Sequence, residues 1–301
     1  MFFLEGDYVE LCDGSIWAVK GSHHPTDRII ALPRLVNGRK VKRISEALSI
    51  AYRYYRHFIT YVNFIGKYVP AIPKSLIRKH FSALRTRCPE NAGDIGQLCG
   101  ELVDLLHSEC MLKCGVTGSL LYGAYSSDSD IDLVCMDTGG NAYDCLVELR
   151  RKGELEKLSP ADFVMEYVQV SEGLDFSDHL KLVLSRVTQG KYKSRRYTLR
   201  VISPERERLI LGPYVFKYWV SKVIAKITSS DFRTPSVYAA DILKPYLAVG
   251  KEALIVSFRI RFTEIPENSI LLISNALLTL RRDGTIVISL DDPGTYVKIL
   301  T

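Results

Sequence analysis

The stretch from Gly115 to Cys135, GVTGSLLYGAYSSDSDIDLVC, constrains the fold of this 301-residue chain more than any other. A short apolar lead-in runs into a Gly118-Ser119 turn, a helical LLYGAY segment, a polar hinge, and a strand that carries Asp130 and Asp132. Gly118 can take dihedrals closed to other residues and bring its backbone close to a phosphate, and Ser119 offers a hydroxyl and an N–H at a helix start. Residues two apart on a strand point to one face, so the carboxylates of Asp130 and Asp132 converge. Side by side they repel unless a cation lies between them, and a hard divalent ion is held by a few carboxylates plus substrate phosphates. The competing reading, a glycine-capped helix followed by a strand whose acidic residues face water, asks for no chemistry.

Gly118-Ser119 followed by Ser129-Asp130-Ile131-Asp132-Leu133 resembles the signature of the nucleotidyltransferase superfamily, which includes DNA polymerase beta, the CCA-adding enzymes and the minimal nucleotidyltransferases. The resemblance implies that Gly118 and Ser119 bind the phosphates of an NTP and that Asp130 and Asp132 are catalytic ligands of Mg²⁺ or Mn²⁺. The family adds a third carboxylate on a neighbouring strand. RRYTLRVI, from Arg195 to Ile202, resembles that strand, and Thr198 occupies the aspartate's position. A neutral hydroxyl is a poor substitute for an ionised ligand on a metal that activates a nucleophile. Glu166, in the alternating run FVMEYVQV with Val164 and Val168 on its face, is the other candidate, and Asp128, Asp162 and Asp175 remain open.

The formal charge of +6 says little by itself. Its distribution says more: RKVKR at Arg39 to Arg43, a cluster around Lys74 to Arg87, KYKSRRYTLR at Lys191 to Arg200, and Arg281-Arg282. The third cluster is interleaved with tyrosines beside the strand of Thr198, which makes Lys193, Arg195 and Arg196 candidates for contacts to a triphosphate or a nucleic-acid backbone. The other clusters read as solvated, salt-bridged faces. Seven cysteines without a CxxC pair argue against a zinc ribbon or a thioredoxin-type motif, and their apolar surroundings suit thiols packed as small hydrophobes. Disulfides are the alternative if the source is a hyperthermophile. No apolar run is long enough to span a bilayer and MFFLEGDYVE lacks a signal-peptide pattern, so a cytoplasmic protein without a membrane partner is expected.

Residues 1–43 read as a β-unit: FFLEGDYVELCDGSIWAVKG holds two alternating runs around Asp13-Gly14, and RIIALPRLV supplies a third. Three strands alone are marginal and must pack on something. This unit also resembles that of a group of archaeal predicted nucleotidyltransferases, through Glu5, Gly6, Asp7, Asp13, Gly14, Val19, Lys20, Gly21, His24, Pro25 and Arg28. His23 and His24 read as turn supports. Residues 44–89 read as helical, with an aromatic stripe (Tyr52, Tyr54, Tyr55, Phe58, Tyr61) directed to the core and a second helical stripe in KSLIRKHFSALR. Residues 90–205 contain helices alternating with strands, an α/β or α+β core. From 206 to 301 short β-runs with regular turn signals indicate a small barrel or sandwich, with Phe258, Arg259, Arg261 and Phe262 as the strand face that an OB-type barrel would turn to nucleic acid.

The expected fold is thus α+β: a nucleotidyltransferase-type mixed sheet with helices, flanked by an N-terminal β-unit and a C-terminal small β-barrel or sandwich. The expected function is metal-dependent transfer of a nucleotidyl group from an NTP to an acceptor, RNA before DNA or protein. Thr198 motivates the alternative of a degenerate relative that binds nucleotide or nucleic acid without transfer. A third reading is a structural or partner-binding protein whose β-domains form the interface.

Overall fold

The computed structural model describes residues 2–170, 172–246 and 250–300, which form a mixed α+β architecture of two sheets and a barrel. The N-terminal sheet starts with the hairpin β1 (Tyr8–Leu11) and β2 (Ile16–Val19), whose turn is fixed by Asp13 Oδ1 accepting from Ser15 N at 2.9 Å and by Gly14 at φ +78. Next come β3 (Arg28–Val36), the two-residue β4 (Arg39–Lys40) folded back on it, and α1 (Ile44–Tyr54).

Beyond α1, the span 44–89 departs from the helical expectation. It supplies β5 (Ile59–Val62), β6 (Lys67–Pro73) and β7 (Ile77–Phe81), and the sheet runs β5-β6-β3-β2-β1-β7. The cause is tertiary. A three-stranded unit cannot bury a core, and β7 pairs along the edge of β1 that would otherwise stay open. Trp17, Val9, Ile29 and Ile72 are fully buried at the centre. The aromatic stripe divides: Phe58 joins this core, whereas Tyr52, Tyr54 and Tyr61 are exposed.

The central unit opens with α2 (Asp94–Cys110), which buries Ile95, Cys99, Leu102, Leu106 and Cys110 at helical spacing and stops where Met111 turns left-handed. Then follow β8 (Leu112–Val116), α3 (Gly118–Tyr122), β9 (Ile131–Asp137), α4 (Ala142–Lys152), α5 (Pro160–Val170), α6 (Phe176–Ser185), β10 (Gln189–Tyr192) and β11 (Arg195–Ile202). The sheet order is β10-β11-β9-β8, with β9 antiparallel to β8 and parallel to β11. A parallel pair needs a long crossover, here α4 to α6. Ile131, Leu133, Tyr197, Leu199 and Val201 are buried in one cluster with Leu102 and Leu106 of α2 and Leu146 and Leu149 of α4.

FVMEYVQV lies within α5 and is not a strand. The overriding signal is a capping box just upstream: Ser159 N donates to Asp162 Oδ2 at 3.0 Å, Asp162 N donates to Ser159 Oγ at 3.3 Å, and Pro160 is the first helical residue. Val164 and Val168 consequently face solvent. The cysteines also differ from buried thiols. Cys88–Cys99, Cys110–Cys145 and Cys114–Cys135 are disulfides, all within this unit, and Cys12 alone is free and exposed.

After α7 (Pro204–Arg208) come β12 (Tyr214–Ile227), β13 (Ser236–Lys244), β14 (Glu252–Ser257), β15 (Ile270–Arg281), β16 (Ile286–Ser289) and β17 (Tyr296–Ile299). Pairing runs β12-β13-β14-β16-β15 and back to β12, a closed five-stranded barrel with β17 added along β15. Closure removes the open edges of a sheet. The core holds Val223, Tyr238, Ile255, Ile273 and Ile288, with Phe262 entering from a 3₁₀ turn at Ile260–Phe262. That turn corrects the proposed strand face. Phe262 and Arg261 are buried, and Arg259 is engaged with Asp291 at 2.9 Å, so these side chains form an internal seam.

Two carboxylates lock the units together. Glu264 of the barrel accepts from Val187 N at 2.8 Å and Thr188 N at 2.9 Å in the central unit, and Glu207 of α7 accepts from Ser22 N at 2.7 Å in the N-terminal unit. Among the described residues no helix is long and apolar enough to cross a membrane.

Candidate functional site

The face of the central sheet opposite α2 and α4 carries the polar residues. β9 directs Asp132 and Val134 to this side, and β11 adds Arg196, Thr198 and Arg200, with Thr198 in direct register with Asp132. The N-terminal unit covers part of it. The Cα of Gly6 lies against Val134, where a Cβ would come within 3.0 Å of the side chain, and Gly6 O accepts from Thr117 Oγ1 at 2.5 Å. Glu5 and Asp7 hold that loop in shape: Glu5 accepts from Lys20 Nζ at 2.7 Å and Gly21 N at 2.8 Å, and Asp7 accepts from Ala83 N at 2.7 Å. The Glu5-Gly6-Asp7 and Lys20-Gly21 pattern is thus a bracket that fixes Thr117, the residue before the Gly-Ser turn.

Gly118 meets Asp132 directly. Its φ is +62, and a Cβ built on it would fall 2.2 Å from Asp132 Oδ2, so any side chain here collides with the carboxylate. Thr117 N donates to Asp132 O at 2.9 Å, which ties the turn to β9. Ser119 is half-buried in the first turn of the five-residue α3. Asp130 Oδ1 pairs with Arg196 at 2.8 Å, and Arg195 donates to Ser127 O at 2.7 Å, bracing the hinge before Asp130.

Burial raises the pKa of both aspartates. Asp132 is pushed up to about 7, first by burial and then by the negative charge of Asp130, against the pull of Arg200, Arg34 and Arg196. For Asp130 the upward shift from burial is opposed chiefly by Arg196. For Asp132, burial and the neighbouring Asp130 both penalise the ionised form, which a cation beside the pair would favour. Asp130 precedes β9, so only Asp132 sits on the strand face; the two carboxylates beside a close-approach glycine fit one Mg²⁺ that would take its remaining ligands from water and phosphate. With Thr198 in register next to Asp132, the donor set does not by itself complete a second metal site.

The remaining candidates are distributed differently. Lys193, at a left-handed turn position, extends to Glu101 at 2.7 Å on the outer surface of α2, away from the aspartates. Glu166 lies near Thr198 through Gln189, whose Nε2 is 3.5 Å from both side chains, and 3.7 Å from His179. Asp162 and Asp175 cap helices, the latter accepting from Asp178 N at 2.8 Å, and Asp128 is exposed in the hinge. His24 supports its turn, with Nε2 3.1 Å from Phe3 O, and burial lowers its pKa to about 4.

Arg34, Tyr8 and Tyr122 escaped the sequence pattern. Arg34 from β3 acts on Asp132 electrostatically, as does Arg200 of the basic cluster, and the Tyr8 and Tyr122 rings lie 5.0 Å apart, tilted by 48°, beside it. Arg34 is the one charged residue inside the apolar run that follows Arg28 in β3, the one available signal. No family model matches the chain, and no curated protein matches it.

Proposed function

We propose that this chain is a metal-dependent nucleotidyltransferase, moving a nucleotidyl group from an NTP to an acceptor, with RNA as the acceptor. The observation that carries the reading is the contact of Gly118 with Asp132 on β9, with Asp130, just before that strand, close enough to act on Asp132 electrostatically. The mixed sheet of β8, β9 and β11 with its Gly-Ser turn is the arrangement a nucleotidyltransferase-type core needs. Bound Mg²⁺ or Mn²⁺ would be held by Asp130 and Asp132 and would neutralise charge on the triphosphate. Gly118 and Ser119 present backbone N–H groups to the phosphates. Arg196, now paired with Asp130, is placed to follow charge that develops on the transferred phosphoryl group.

RNA is favoured by a second surface. Phe216 and Tyr218 of β12 are more than half exposed and stack at 6.4 Å on one face of the strand, and on its other face Trp219 is exposed and Lys217 lies 5.4 Å from the exposed Tyr61 ring. Aromatic rings beside lysines suit the stacking of unpaired bases and the screening of their phosphates. The test is incorporation of labelled nucleotide into RNA by the native chain and by Asp130→Ala/Asp132→Ala. Equal incorporation by both removes the catalytic role.

Thr198 beside Asp132 favours a second reading, nucleotide binding without transfer. Calorimetric binding of Mg²⁺-NTP with no product over a panel of RNA, DNA and protein acceptors would select it, and sustained turnover would reject it.

A further inference from the structure

Where the N-terminal sheet, the central unit and the barrel converge, a cavity of about 100 Å³ lies next to the aspartate site, well above the ~10–15 Å³ that one water needs. Its wall is mostly cationic, and the cations differ in how they are satisfied. Lys20 is neutralised by Glu5 at 2.7 Å and Arg259 by Asp291 at 2.9 Å. Arg34, Lys42 and Arg261 have no such partner among the described residues, and Arg200 has only a loose one. Arg34 donates only to the carbonyls of Val41 and Lys42, Lys42 to the side-chain amide of Gln169, and Arg261 to Glu172 O. Arg200 comes no nearer than 3.9 Å to Glu5, a carboxylate already bonded to Lys20, and its buried Nη1 has no hydrogen-bond partner.

Two carboxylates line the same cavity and offset part of this surplus, both acting on Arg261 electrostatically. Glu172 is committed to Ile44 N and Ser45 N at 3.1 and 3.0 Å, and Glu166 faces Gln189 and His179. Three carboxylate-free cations and the loosely paired Arg200, against two carboxylates, leave an excess of positive charge in a recess shared by three units. Such crowding is costly without an anion, and burial together with the neighbouring Arg259 lowers the pKa of Arg261 to about 10.

We propose that this cavity is a metal-independent binding site for a phosphate group, held by Arg34, Lys42, Arg200 and Arg261 and separate from the Gly-Ser turn. Guanidinium forks match phosphate oxygens in pairs, and the unpaired Nη1 of Arg200 is a donor awaiting an acceptor. Arg200 and Arg34 also act on Asp132, so the bound phosphate sits beside the transfer site. The identity of the phosphate, that of the acceptor strand or of the released pyrophosphate, rests on the transferase reading; the site itself does not.

The experiment is calorimetric titration in EDTA with orthophosphate, pyrophosphate and a 5′-phosphorylated oligoribonucleotide, on the native chain, Lys42→Ala, Arg200→Gln and Asp130→Asn/Asp132→Asn. Binding is expected to weaken at least about tenfold in Lys42→Ala and Arg200→Gln and to hold or tighten in the aspartate variant. Lys42 is exposed, so its substitution reports even if Arg200→Gln fails to fold. A preference for pyrophosphate assigns the site to the leaving group, and a preference for the oligonucleotide assigns it to the acceptor. No metal-free binding, or binding untouched by Lys42→Ala, overturns the proposal. Metal-free binding in a protein that shows no transfer supports the cavity and overturns only the transferase reading.

Discussion

Leu133 and Asp132 are adjacent in β9 and live in opposite worlds. Leu133 is fully buried with Leu199, Leu102 and Leu146, in a cluster that runs through three helices and all four strands of the central sheet. Asp132 faces the other way, against the bare backbone of Gly118 and a second carboxylate. One face is packed so that nothing need change; the other keeps two like charges together and one position, Thr198, that supplies no charge to help. Strand alternation lets one chain do both, because stability and chemistry are assigned to residues of opposite parity. Substitutions on the two faces should therefore fail in different ways.

The largest separation is expected in activity. Asp130→Asn/Asp132→Asn should lower nucleotide incorporation on the order of 10³-fold or more while leaving the melting temperature equal or higher. Leu133→Ala should do the reverse. Removal of a buried leucine costs about 2–5 kcal/mol, read as a lower denaturation midpoint, with the activity of the remaining folded molecules close to native. Loss of activity in Leu133→Ala without loss of stability would merge the two faces.

The disulfides sharpen the comparison next. Cys110–Cys145 joins the end of α2 to α4 across 35 residues, on the packed side of the sheet. Cys110→Ser/Cys145→Ser should destabilise by about 2–4 kcal/mol without altering nucleotide affinity. Alkylation of the native protein without reductant should label Cys12 alone.

How far each face could be read beforehand follows from the same physics. The packed face and the aspartates were legible because period-2 alternation and the Gly118-Ser119 turn are local signals. The span 44–89 was not, since β7 forms to satisfy the edge of β1, which is distant in sequence. FVMEYVQV reads as an alternating strand face yet forms a helix, because the Ser159-Pro160-Ala161-Asp162 capping signal outweighs the alternation. Lys193 is one residue into a turn from the right strand and still points away, and Arg34 comes from another unit altogether. Disulfide pairing needs the tertiary approach of α2 to α4, which spacing alone does not encode.

A smaller effect tests the crowding of the polar face. Asp132 has a folded pKa of about 7, above its ordinary 3.8, so the folded state holds a proton that the unfolded state has released between those values. Its contribution is intact below about pH 4 and is lost as pH rises through 7. Asp132→Asn does not titrate. Its stability should match the native chain near pH 4 and exceed it at pH 8 by on the order of 1–3 kcal/mol, since the cleft is partly screened. Added Mg²⁺ should close that gap by stabilising the ionised native pair. An equal difference at both pH values would mean that Asp132 is not crowded.

The smallest expected effect concerns the position where the polar face falls short. Thr198 is level with Asp132 on a parallel neighbour and projects from the same face, so Thr198→Asp puts a third carboxylate beside the first two without moving the backbone. Without metal the added charge should destabilise the protein at pH 8 by about 1 kcal/mol, because like charges on adjacent strands repel. With metal the sign reverses. Three carboxylates should bind Mn²⁺ about tenfold more tightly than two, ~1.4 kcal/mol, measured by calorimetry. The opposite assignment has its own signature: if Glu166 reaches the metal, Glu166→Gln weakens Mn²⁺ binding and Thr198→Asp leaves it unchanged. Glu166 is separated from Thr198 by the amide of Gln189 and would have to displace it, so Thr198→Asp is the variant expected to respond.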